Sequence, residues 1–170
     1  WLGAAMSIEL GLAWIMKAYE HSLTTTALTY FIPIIMAMGG NVGLQSSTTV
    51  VRGLATGSIS PGRMMRVVFS EMRLGLVIGL MAALLTGAMA WLMNLGHEQV
   101  LIISFIVLIS MFLSMSIAST MGAFTPLLLH RMKIDPAVSS GPFITAVNDL
   151  VNVTIYLTLA TLMLTKLDHP

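Results

Sequence analysis

The chain has 170 residues, 56% of them hydrophobic and 9% charged, with a net charge of +1 and no cysteine. Soluble domains carry roughly 25% charged residues, so this chain cannot cover a water-facing surface and reads as an integral, all-α polytopic membrane protein. The missing cysteine excludes disulfides and thiolate metal sites, and no nucleic-acid partner is expected.

A crossing helix needs about 20 apolar residues, so about five helices with short connections fill residues 1–170 as a single transmembrane domain. The first apolar segment covers about 1–18. It lacks a basic lead and a small-residue cleavage site, which excludes a signal peptide, and the start at Trp1 reads as a processed or excised fragment. Glu9 within it has two readings: assistance to cations, or pairing with a neighbouring helix near the interface.

The second helix, about 23–54, is longer than a span needs. It carries Pro33, Ala37, Gly39, Gly40, Asn41, Gly43, Gln45, Thr48 and Arg52. Proline and paired glycines loosen the helical ladder and free carbonyls that protein, water or an ion must satisfy. Asn41, Gln45, Thr48 and Arg52 share a face, and amide and carbonyl oxygens are the hard ligands that Mg²⁺ and Ca²⁺ prefer. A kinked packing helix accounts for the same residues equally well.

Thr56 to Gly62 forms the next connection, with Ser60 as N-cap and Pro61 at the first helical position. A basic amphipathic lead-in from Arg63 to Arg73 enters the third helix, about 68–93. Asn94 to Glu98 is a tight turn before the fourth, about 99–127. Gly75, Gly79, Ala83 and Gly87 on the third, and Ser110, Ser114, Ala118 and Gly122 on the fourth, are small-residue ladders suited to close helix packing.

His130 to Pro136 turns into the fifth helix, about 137–166. There Gly141, Thr145, Asn148, Asp149, Asn152 and Tyr156 recur at three- and four-residue steps, on one face. A carboxylate inside a span costs about 2.5–3.5 kcal/mol on insertion scales. The stripe therefore faces protein or water, and Asp149 points to a cation path more than to interhelical pairing.

Arg52, Arg63, Arg66, Arg73, Arg131 and Lys133 fall at the second-to-third and fourth-to-fifth connections, with Lys17 and Lys166 on the opposite side. The positive-inside rule places the N-terminus in the cytoplasm and the C-terminus outside. His21, His97 and His130 show no zinc-site spacing, and no nucleophile, metalloprotease or phosphate-loop motif appears. The chain does not read as an enzyme.

Phe31-Ile32-Pro33, Gly39-Gly40-Asn41-Val42-Gly43-Leu44-Gln45-Ser46 and Val51-Arg52-Gly53-Leu54-Ala55 resemble the signature of the MgtE magnesium channels. Asp135-Pro136-Ala137, Gly141-Pro142 and Asp149 resemble that family's last helix. The resemblance spans nearly the whole chain. It implies a homodimer of five-helix protomers in a bacterial or archaeal plasma membrane, with Mg²⁺ as the transported ion. The pore would lie on the two-fold axis, lined by the second and fifth helices, with Asp149 at the selectivity site. It also implies a cytoplasmic regulatory domain and a CBS-domain pair outside this sequence. Eukaryotic relatives that act as exchangers leave channel or carrier open.

One carboxylate cannot dehydrate Mg²⁺, which keeps several waters and asks for near-octahedral geometry. Two symmetry-related Asp149 side chains, with Asn41, Thr145 and Asn148 oxygens, could instead hold the hydrated ion through its waters. Ala37, Gly40, Gln45, Gly141 and Asn152 would line the rest of the path. At 100 mV, inside negative, a divalent ion gains about 4.6 kcal/mol on entry, so inward flow needs no ATP site. A coupled secondary transporter of divalent cations is the alternative, and a non-transporting membrane scaffold is the third reading.

Overall fold

The computed structural model describes residues 2–20, 26–139 and 141–168. Among these residues the chain is helical: α1 Leu2–Tyr19, a single turn α2 Thr26–Thr29, α3 Ile32–Ala55, α4 Met64–Met93, α5 Val100–Arg131 and α6 Pro142–Asp168. Short 3₁₀ turns at Pro61–Arg63 and Pro136–Ser139 lead into α4 and α6.

Local chemistry sets the boundaries. A turn at residues 30–31 separates α2 from α3, so the expected 23–54 helix is interrupted, and its first residues, 23–25, lie outside the described residues. Gly57, at φ +70°, turns the chain away from the end of α3. Ser60 is extended ahead of Pro61 as expected, but its side chain makes no capping hydrogen bond. The basic lead-in is helical from Met64, so α4 starts earlier than 68. Asn94 closes α4, its Nδ2 donating to the Ala90 carbonyl at 2.8 Å.

Pro126 sits inside α5 and the helix runs on to Arg131, because neighbouring helices can satisfy backbone groups that a proline frees in a membrane. The start of α6 is later than 137. Asp135 Oδ1 accepts the Ala137 N–H at 3.0 Å, shaping the 3₁₀ turn, and Gly141 at φ +89° redirects the chain into Pro142. Only glycine adopts that backbone region without strain.

Among the described residues, four helices are long and apolar enough to cross a membrane: Ala27–Ala55, Met64–Met93, Val100–Arg131 and Pro142–Thr165. The expected five spans are thus met for four. The helix that falls short is α1, with 18 residues that include Glu9 and Lys17. At 1.5 Å per residue it is about 27 Å long, slightly under the ~30 Å hydrocarbon core.

α5 is the centre of the bundle. Its Ile103, Ile106, Val107, Met111 and Met115 are fully buried, together with Leu28, Ile35, Tyr156 and Leu157 from the surrounding elements. α4 packs along one side of α5, while α3 and α6 pack against the other and against each other; α1 lies on α6. Tyr156 Oη donates to the Leu28 carbonyl at 2.6 Å, pinning the α2 turn to α6. The outer side of α4 exposes Leu74, Val77, Met81, Leu84 and Leu85, an apolar face suited to lipid.

Candidate cation-conducting face

The Gly39-Gly40-Asn41-Val42-Gly43 stretch is decoded by what lies against each glycine. A Cβ on Gly39 would overlap the Asn152 carboxamide, and one on Gly43 would overlap that of Asn148. A Cβ on Gly40 would stand 3.3 Å from Asp149 Oδ1 and 3.7 Å from Thr145 Cγ2. Gly122 of α5 meets the Gly43 backbone so closely that a Cβ there would overlap its carbonyl. The glycines therefore let α3 settle onto α6 and α5 at backbone distance, with polar side chains of α6 beneath it.

This contact divides the α6 stripe. Asn148 and Asn152 are 0% exposed, as is Tyr156, and they face the protomer interior. Thr145 and Asp149 are half-buried at the rim beside Gly40. The Thr145 hydroxyl is bound to its own helix, donating to the Pro142 carbonyl at 3.0 Å. Gly141 lies at the foot of α6, its carbonyl accepting from the Thr145 N–H at 3.2 Å.

On α3 the opposite side is open. Pro33, Ala37, Asn41, Gln45, Thr48 and Arg52 are all exposed, and their spacing places them along one face. The structure thus brings Gly40, Thr145 and Asp149 together and runs the Ala37–Asn41–Gln45 face alongside them. Asn148 and Asn152 sit behind α3 instead. An exposed row of amides, hydroxyls and a guanidinium on a spanning helix cannot rest against hydrocarbon.

Several buried polar atoms in this region have no hydrogen-bond partner among the described residues. They are Asp149 Oδ1, both side-chain polar atoms of Asn148 and Asn152, and the hydroxyls of Ser47, Ser110 and Ser114. Each such atom costs about 1–3 kcal/mol, so their concentration around α3 and α6 marks the polar centre of the bundle. No group of three or more His, Cys, Asp or Glu side chains converges among the described residues. A single chain therefore does not assemble an acidic metal cage from them.

The ends of the bundle differ in charge. A cavity of about 290 Å³ is lined by Val51, Leu54, His130, Asp135 and Pro136, so the end of α3 and the α5–α6 connection share one end. Arg52, Arg131 and Lys133 belong to these segments. A groove at the other end is lined by Met16, Lys17, Glu20, Thr29 and Pro33.

Sequence reasoning passed over a second polar junction. Ser46 Oγ donates to Glu71 Oε2 at 2.8 Å and lies 3.0 Å from Ser119 Oγ. Ser119 Oγ in turn donates to the Glu71 carbonyl at 2.7 Å. The available signal was a glutamate one helical turn ahead of Gly75, hidden among the arginines of the α4 lead-in.

Spanning helices, an apolar outer side and an exposed polar face beside a half-buried carboxylate define a polytopic helical membrane domain of the transport type. The sequence pattern of the MgtE family, described as divalent cation transporters, matches residues 32–159, and the chain belongs to that family. It is 33% identical over 162 residues to the magnesium transporter MgtE of Bacillus subtilis, covering 95% of this chain and 35% of the relative. Identity is 36% over 152 residues with the MgtE of Thermus thermophilus, covering 88% and 32%. For Enterococcus faecalis MgtE it is 30% over 165 residues, covering 96% and 36%. The chain thus spans about a third of the length of these relatives. Its family is one of transporters, not enzymes.

Proposed function

We propose that this domain conducts hydrated Mg²⁺ down its electrochemical gradient through a pore formed where two copies meet. One observation carries the reading: the exposed Ala37–Asn41–Gln45 face of α3 runs beside the half-buried Asp149 and Thr145, open within the protomer and too polar to rest against lipid. A second copy across a two-fold axis would cover the face and supply a second carboxylate, giving a hydrated divalent ion two acidic groups to hold its waters. In this reading Asp149 holds the ion's water shell, aided by Asn41 and Thr145. Asn148 and Asn152 support that site from behind α3, and Gly40 and Gly141 keep the path open. The three relatives are magnesium transporters, which supports Mg²⁺ as the ion.

In this reading α1 completes the protomer as a fifth, short span, and the positive-inside rule supports an arginine-rich cytoplasmic end and an outside C-terminus, in a bacterial or archaeal plasma membrane. A cytoplasmic regulatory domain would gate the pore from that same end. Purified domain in liposomes tests the reading under an imposed potential with and without a proton gradient. A Mg²⁺ flux that follows the potential alone is expected. Flux that requires the proton gradient would replace the channel with a coupled carrier, and no flux at all would favour the scaffold.

A further inference from the structure

Part of the surface that holds α3 is smooth. Gly39, Gly40 and Gly43 meet α6 and α5 without side chains of their own, and Gly122 meets Gly43 backbone to backbone. Such contacts fix distance, and α3 itself contributes no side chain there to resist rotation about its axis. Ile32, Ile35, Val42 and Val50 hold the helix elsewhere in the core, and directional bonds fix its rotation more narrowly. Among the described residues, the side-chain hydrogen bond that joins α3 to another spanning helix is that of Ser46 to Glu71, with Ser119 Oγ in contact beside it.

Ser46 lies on the side of α3 turned away from the Asn41–Gln45 face: it is 3% exposed, whereas those two residues are open. Its partner is the Glu71 carboxylate on α4, a helix that packs along α5 and scarcely touches α3. Ser119 of α5 stands between them, 3.0 Å from Ser46 Oγ and donating to the Glu71 carbonyl at 2.7 Å. Three helices are therefore tied at one point directly behind the polar face. Because both serine hydroxyls are engaged within the protein, the junction reads as a hydrogen-bonded clamp and not as an ion site.

A helix with side chains has a radius of about 5–6 Å, so rotation by about 20° swings a surface oxygen by roughly 2 Å. Functional groups lose their geometry beyond about 0.5 Å or 10–20°. We propose that Glu71 is a positioning residue: through Ser46 and Ser119 it fixes the rotation of α3 and so aims Asn41 and Gln45 at the ion path. The proposal rests on the reading of that face as the pore wall.

The test compares Glu71→Ala, Ser46→Ala and Glu71→Gln in liposomes, measuring Mg²⁺ flux, the Mg²⁺-to-K⁺ permeability ratio and thermal stability, with Asp149→Asn as reference. Glu71→Ala and Ser46→Ala should each lower flux and the permeability ratio by about tenfold, the equilibrium weight of one charge-assisted hydrogen bond. Glu71→Gln keeps an acceptor for Ser46 and should restore most of both. Single cysteines along residues 41–48 supply a geometric readout. In wild type, cross-linking between copies should peak at 41, 45 and 48, and it should spread to 44 in the two alanine variants.

Wild-type flux and selectivity in both alanine variants, while Asp149→Asn is silent, would overturn the positioning role and leave the pore reading intact. Wild-type behaviour of Asp149→Asn would instead overturn the pore reading itself. Failure of Glu71→Gln to restore flux would also count against the clamp, since the charge and not the acceptor would then matter. Should Glu71→Ala not fold, Ser46→Ala alone decides, because it removes a single hydroxyl.

Discussion

Between α4 and α5, Gly75, Gly79 and Gly87 make room for Ser119, for Met115 with Ser116, and for Leu108. Between α3 and α6, Gly39, Gly40 and Gly43 make room for Asn152, for Asp149 with Thr145, and for Asn148. Both seams use glycine to bring backbones close, yet the polar groups they admit end differently. Along α4, Ser116 donates to the Phe112 carbonyl and Ser119 to that of Glu71, each at 2.7 Å. Along α3, the carboxamides of Asn148 and Asn152 and Asp149 Oδ1 have no partner among the described residues. One seam is closed packing, while the other keeps hydrogen-bonding capacity in reserve. Glycine spacing alone does not tell them apart; what stands opposite each glycine does.

The comparison can be broken most sharply by filling the glycines. Gly43→Leu would drive a side chain into the Asn148 carboxamide and to within 3.2 Å of the Ala118 carbonyl at its Cβ alone. We expect a loss above about 3 kcal/mol, enough to prevent folding or assembly, in thermal unfolding in detergent. Gly79→Ala meets the Phe112 carbonyl at 3.2 Å and Met115 Cβ at 3.3 Å. A small helix shift relieves these contacts, so the cost there should stay near 1 kcal/mol.

The smallest effect should come from Asn152→Leu. It replaces an unpaired, fully buried carboxamide with an apolar group of similar volume, and such exchanges are near neutral or stabilising. An unchanged or higher thermal midpoint is expected. A marked drop in the midpoint would mean that Asn152 is paired in the assembled protein, which would turn this seam into ordinary packing.

Much of this architecture was readable from composition and charge. The four long helices follow from apolar length, and the clustering of Arg52, Arg131 and Lys133 at one end agrees with the expected connections. Two features were not legible, each for a physical reason. The stripe from Gly141 to Tyr156 has one helical period but two environments, because α3 rests over Asn148 and Asn152 and leaves Asp149 at its edge. Periodicity assigns a face; it does not say where a neighbouring helix will lie across it. Glu71 escaped notice because flanking Arg66 and Arg73 make its segment look like a basic interfacial helix. Its bond to Ser46 joins residues 25 apart in sequence, beyond the reach of any local pattern. Glu9 remains exposed on α1, and its environment depends on what α1 faces in the membrane.

Flux and thermal stability measured on one preparation of Asp149→Asn test the central claim most directly. The substitution keeps shape and hydrogen-bonding capacity and removes one negative charge per copy. If two carboxylates hold the ion's water shell, each charge-assisted hydrogen bond lost is worth about 1.5–3 kcal/mol against about 1 for a neutral one. The account predicts Mg²⁺ flux abolished or reduced at least about tenfold and selectivity over monovalent ions lost. The thermal midpoint should be unchanged or raised, because a membrane carboxylate is costly to insert. Wild-type Mg²⁺ flux with unchanged selectivity in a folded Asp149→Asn protein would contradict it.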